Sequence, residues 1–173
     1  MEPAGARRVA GASEGVDAVS GGSPVPVEEG LYRVRNVASG LLLEVYEGSG
    51  RSGANVQQGA ERGTPGQHWH ITAVPNGGGL YHLVNAASGK RLDVANASTE
   101  NGATIQQWKA NNFGAQEWII EQDLASPGTV ALVSFISGLF LEVADASEED
   151  GGDVRQWEDT DSPFQWWTLE PVS

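Results

Sequence analysis

The chain has 173 residues, no cysteine, and 23 acidic against 10 basic side chains, a formal charge of −13. Without cysteine there is no disulfide scaffold, thiolate-bound zinc, iron–sulfur cluster or thiol nucleophile. So acidic a protein is repelled by phosphate backbones and anionic bilayers, which argues against nucleic-acid partners and membrane insertion.

Residues 1–29 come first. They consist largely of Gly, Ala, Ser, Pro, Val and Glu and hold no aromatic residue. Such a segment has little to bury against the entropy of ordering, and a flexible tail is expected there. Arg7 and Arg8 are followed by no apolar core of a secretory signal, so the expected location is cytoplasmic, or outside the cell by a leaderless route. Structure is expected to begin at Gly30.

From there one unit is written three times. Gln-x-Trp stands at Gln67–Trp69, Gln116–Trp118 and Gln165–Trp167, 49 residues apart each time. Ser-Gly recurs at the same interval (Ser39-Gly40, Ser88-Gly89, Ser137-Gly138), as does Leu-acid-Val at Leu43-Glu44-Val45, Leu92-Asp93-Val94 and Leu141-Glu142-Val143. Residues 30–71 and 79–120 align without a gap and share 17 of 42 positions; average composition alone gives about two or three. The repeats are 30–78, 79–127 and 128–173.

Within a repeat the pattern is that of strands. Leu31–Arg35 alternates, Ser39-Gly40 turns the chain, Leu41–Val45 resumes, Ala54–Gln58 follows a polar loop, and Gln67–Ile71 closes the unit. Gly and Pro interrupt the chain too often for long helices. Three copies of four strands, about twelve in all, suit an all-β, pseudo-threefold β-trefoil rather than a propeller, which needs more blades to close. Closure also removes the sheet edges that invite aggregation.

The clearest copy is the second: Asn85-Ala86-Ala87-Ser88-Gly89-Lys90-Arg91-Leu92-Asp93-Val94, then Gly102-Ala103-Thr104-Ile105-Gln106-Gln107-Trp108, then Gln116-Glu117-Trp118. With its threefold motif the chain over residues 30–173 resembles the ricin B-chain-type lectins, and its cysteine-free form is similar to the fungal, mushroom-type members. The resemblance implies a β-trefoil that binds galactose- or N-acetylgalactosamine-type glycans through shallow pockets, without catalysis and without a cofactor. It also implies a pocket built from the strand Asp, the aromatic after Gln-x, and polar residues shortly before Gln-x-Trp.

The residues themselves divide into core and site. Trp69, Trp118 and Trp167 alternate with apolar neighbours and are expected inside the barrel. The Gln of each motif either braces a loop or touches a ligand. The acid between Leu and Val is expected to point outward, where a charged acceptor can take two hydroxyl hydrogen bonds. A pyranose also needs an aromatic face for its C–H side, and amides for its remaining hydroxyls. Asp93, Gln106, Trp108, Asn111, Asn112 and Gln116 supply this set. The family often has Asn directly before the motif Gln; here it is Ala115, and Asn111 or Asn112 is left to take that role.

The third repeat offers Glu142, Trp157 and Gln165, with the longer acid and with Arg155 where the second has Gln106. The first has Glu44 but Gly59 in place of the stacking ring. The expected order is therefore second, third, first. Since each pocket would be weak, avidity is expected from several pockets or from a homodimer.

Metal and catalytic readings are thin. From Thr129 onward ten acids face Arg155 alone, but Ser147–Asp153 lacks the alternating ligands of a calcium loop. His68 and His70 share a strand face without a further ligand. No nucleophile elbow, phosphate loop or His-Glu-x-x-His is present. A trefoil that serves as a protease inhibitor or protein-interaction scaffold, with sugar binding lost, is the alternative.

Overall fold

The computed structural model describes residues 22–173, in which thirteen β-strands and six single 3₁₀ turns carry the regular structure. Each repeat contributes four strands. They are β2 (Gly30–Asn36), β3 (Leu42–Val45), β4 (Val56–Gly59) and β5 (Trp69–Ala73); β6 (Leu80–Asn85), β7 (Arg91–Val94), β8 (Ile105–Trp108) and β9 (Trp118–Asp123); β10 (Thr129–Ser134), β11 (Phe140–Val143), β12 (Val154–Trp157) and β13 (Trp167–Pro171). The first and last strand of each repeat pair antiparallel around a closed ring, β2–β5–β6–β9–β10–β13 and back to β2. The middle strands form three hairpins, β3–β4, β7–β8 and β11–β12. Isolated bridges Asn55–Gln106, Gln57–Asp153 and Thr104–Arg155 join one hairpin to the next. This is the β-trefoil that the threefold motif predicts.

The remaining strand, β1 (Gly22–Pro24), corrects the expectation that structure begins at Gly30. It pairs with β9, and beyond it the Val25 amide donates to the Ile120 carbonyl and the Val27 amide to the Tyr81 hydroxyl. Val25 and Val27 stand two residues apart and so project to one side, where both pack on the barrel core. Two valines spaced by proline suffice to hold a short strap; the absence of aromatics was a poor guide. The rest of the expected tail, residues 1–21, lies outside the described residues.

Trp69, Trp118 and Trp167 are fully buried in one core with Leu43, Leu92 and Leu141. Each indole Nε1 donates to the carbonyl of the leucine before the repeat's acid, at 3.0 Å to Leu43, 3.2 Å to Leu92 and 3.1 Å to Leu141. The core thereby fixes the strand that carries each carboxylate.

A second set of repeated residues ties the repeats to one another. Gln58, Gln107 and Gln156 are fully buried, and each Oε1 accepts from the Ser hydroxyl of its own Ser-Gly turn. Each Nε2 donates to two carbonyls of the preceding repeat: Gln107 to Ser49 and Arg51, Gln156 to Ser98 and Glu100, and Gln58, closing the circle, to Ser147 and Glu149. Each buried amide thus has its donors satisfied by the neighbouring repeat's loop.

Candidate functional site

The three clefts lie at equivalent places, each between the turn after the Leu-acid-Val strand, the outer face of the hairpin, and the loop that precedes Gln-x-Trp. In the second repeat cross-strand pairing sets Asp93 opposite Gln106, and the period of two puts Gln106 and Trp108 on one face. Asp93, Gln106 and Trp108 line one cleft of about 410 Å³ together with Asn111, Phe113 and Ala115. The turn Ala95–Ala97 closes it. There Asn96 and Ala97 take φ of 59° and 50°, a left-handed pair repeated at Glu47-Gly48 and Asp145-Ala146. Such backbone is costly for a non-glycine residue and is held where surrounding structure demands it.

The carboxylate does not sit in open solvent as the strand alternation predicts. Asp93 is only 5% exposed. Its Oδ1 accepts from Gln106 Nε2 and its Oδ2 from Gln116 Nε2, both at 3.0 Å. Burial pushes the Asp93 carboxyl above its ordinary range, partly offset by these two amide donors. An ionised carboxylate has about four acceptor positions, so acceptor capacity is left over for hydroxyl donors from the cleft.

Gln116 does not reach the cleft. It is fully buried, its Nε2 is divided between Asp93 and the Lys109 carbonyl, and its Oε1 accepts from the Asn111 amide. Gln67 and Gln165 repeat the arrangement with Glu44 and Glu142. These glutamines end a 3₁₀ turn, and the strand starts only at the Trp, so their side chains fold back under the acid. Their role is to position it. Asn111 lines the cleft, its Oδ1 accepting from the Phe113 amide in an Asx turn, whereas Asn112 is exposed and outside it. Between the two asparagines the structure thus favours Asn111. Phe113 was missed from the sequence. It is 69% exposed, and a lone aromatic in the polar loop 109–114 was the available signal.

In the third repeat Glu142 and Trp157 line a cleft of about 300 Å³, but Arg155 lies in it too. Its Nε donates to Glu142 Oε2 at 2.8 Å, and its guanidinium lies 4.2 Å from the centre of the Trp157 ring. Gln165 is buried behind the acid, as Gln116 is.

The first repeat has the most spacious cleft, about 490 Å³, although the missing ring placed it last. Its carboxylate is already engaged: Glu44 accepts from Gln57, Gln67 and Arg62, and Arg62 also clasps Asp150 of the third repeat at 2.8 Å. A Cβ on Gly59 would run into the Glu44 carboxylate, so the longer acid occupies the place that a side chain at this position would need. Gly59→Ala is expected to cost about 1–3 kcal/mol by overpacking, read as a lower thermal midpoint; an unchanged midpoint would mean that Glu44 swings away freely.

A family model described as ricin-type beta-trefoil lectin domain-like matches residues 23–108 and 114–173. Among solved structures the chain is similar to ThreeFoil, a designed threefold-symmetric protein, with 36% identity and a TM-score of 0.77 over 82% of this chain and 99% of that one. It is similar also to an exo-β-1,3-galactanase from Clostridium thermocellum (33% identity, TM-score 0.78, 86% of this chain), of which it spans 31%. The Macrolepiota procera ricin B-like lectin in complex with lactose shares the fold, with 19% identity and a TM-score of 0.72 over 86% of this chain and all of that one. No curated protein matches the chain.

Proposed function

The chain belongs to the ricin-type β-trefoil lectin-like family, and from that premise we propose that it binds terminal galactose- or N-acetylgalactosamine-type sugars, without turnover, in the cleft of its second repeat. The observation that carries the reading is the pairing of Asp93 and Trp108 in one cleft, with acceptor capacity on the carboxylate and no cation engaging it among the described residues. Two adjacent hydroxyls would donate to Asp93, the sugar's C–H face would rest on the Trp108 ring, and the Asn111 amide would meet a further hydroxyl. Phe113 would supply a second apolar wall.

Support also comes from the Macrolepiota procera lectin, whose structure holds lactose on the same fold. One shallow cleft trades water hydrogen bonds for sugar hydrogen bonds at small net gain, so useful avidity would require a second copy of the chain or a multivalent surface.

Lactose titrated against tryptophan fluorescence tests the reading. A saturable change is expected in the wild type and none in Trp108→Ala, whose half-buried ring at the cleft rim leaves the core intact. A full response in Trp108→Ala, or silence across a broad glycan array, would overturn it and favour an interaction scaffold.

A further inference from the structure

We propose that the third repeat is a saccharide pocket held shut by its own Arg155, so that the natural chain has one working site and a single substitution gives it two. The inference rests on the reading that the second repeat binds sugar.

The argument is a comparison of one position in three repeats. Gln57, Gln106 and Arg155 stand opposite Glu44, Asp93 and Glu142 in their hairpins, and each lies two residues before the ring position occupied by Gly59, Trp108 and Trp157. A residue at this point therefore shares a strand face with the ring and faces the acid across the hairpin. In the second repeat it is a glutamine whose neutral amide reaches Asp93 and leaves Trp108 lining an open cleft. In the third, the guanidinium is placed over Trp157 at 4.2 Å and donates to Glu142 at 2.8 Å. Another of its nitrogens stands 3.6 Å from Asp145 on the closing turn.

Arg155 thus performs both interactions that a sugar would make, the contact with the ring and the donation to the carboxylate. A neutral saccharide would have to displace it. Glu142 is nearly buried, and separating it from its cation leaves a charge with poor solvation, which weak hydroxyl contacts do not offset. Nor does the arrangement suit an anionic sugar, because Glu142 and Asp145 both face the same guanidinium.

Opening the pocket requires no new architecture. Gln57 reaches Glu44 at 2.7 Å from the equivalent position, with Arg62 as that acid's cation, so the chain already contains a glutamine paired with the longer acid. Arg155→Gln copies that pair, and Arg155→Gln with Glu142→Asp copies the second repeat.

Calorimetric titration with lactose reads the number of sites. The wild type is expected to bind one lactose per chain, Asp93→Asn none, Arg155→Gln two, and Asp93→Asn with Arg155→Gln one, with Trp157 then reporting in fluorescence. The proposal is overturned if the wild type already binds two, or if Asp93→Asn keeps a site that Arg155→Gln removes. It also falls if both Arg155→Gln and Arg155→Gln with Glu142→Asp, with native melting curves, stay at one. A wild type that binds no sugar on an array would instead overturn the reading of the second repeat, and this inference with it.

Discussion

Asp93→Asn is expected to weaken lactose binding on the order of 100-fold, the loss of charge-assisted hydrogen bonds of about 2–3 kcal/mol, while the protein stays folded. Asp93 sits where binding and stability pull apart. Its carboxylate is buried, held by two neutral amides, and burial raises its pKa above the ordinary 3.8. Between 3.8 and the higher folded value the native state holds more protons than the unfolded one. Ionisation of Asp93 therefore costs stability, a cost fully present above the folded pKa and relieved as acid protonates the group. The neutral isostere removes that cost. Its amide must still find an acceptor: Gln116 cannot reverse, because its Oε1 is engaged by Asn111, but the half-buried Gln106 can. The melting temperature of Asp93→Asn at neutral pH should accordingly lie within a few degrees of the wild type, a stability difference of about 1 kcal/mol or less.

Sugar affinity follows the opposite course with pH. It should be level at neutral pH and fall as the solution is acidified through the folded pKa of Asp93, above the range of a surface aspartate. Titrations at a series of pH values measure this directly. Undiminished binding by Asp93→Asn, or affinity that is flat well below the ordinary aspartate range, would remove the carboxylate from the site.

Trp118→Ala is expected to destabilise the fold by about 3–5 kcal/mol, a large part of the 5–15 kcal/mol typical of a domain. Trp118 is fully buried, and its Nε1 donates to the Leu92 carbonyl at 3.2 Å. Truncation leaves a cavity in the barrel and an acceptor without its donor. Urea unfolding should show a much lower midpoint with little change in slope. Leu92 directly precedes Asp93, so sugar affinity should fall as well, in contrast to Trp108→Ala, which lowers affinity at little cost to stability. If the two variants had equal midpoints, the division of the tryptophans into core and rim would be wrong.

That division was legible because it repeats. Trp69, Trp118 and Trp167 recur every 49 residues among alternating apolar neighbours, and a position that meets the same environment three times leaves the same residue three times. Trp108 has a counterpart at Trp157 but none at Gly59, which already separated it from the core set. The recurrent Ser-Gly pairs and the glutamines Gln58, Gln107 and Gln156 were visible too, though not their shared purpose. Only the closed barrel brings Gln107 against the carbonyls of Ser49 and Arg51. Strand periodicity placed Asp93 on the outer face but could not show that Gln106 and Gln116 bury it. Composition suggests a tail at residues 22–29, because the sequence does not show that the barrel core offers packing to Val25 and Val27.

The chain by itself determined the trefoil and the residue types at the three repeated positions, since repetition and alternation are local properties of a strand. Which of the three clefts stands open was decided in three dimensions. Arg155 covers Trp157, and Arg62 bridges Glu44 and Asp150 from different repeats, while Asp93 meets only amides. Whether a carboxylate is available to a ligand depends on its competitors for the same lone pairs, and those competitors are neighbours in space before they are neighbours in sequence.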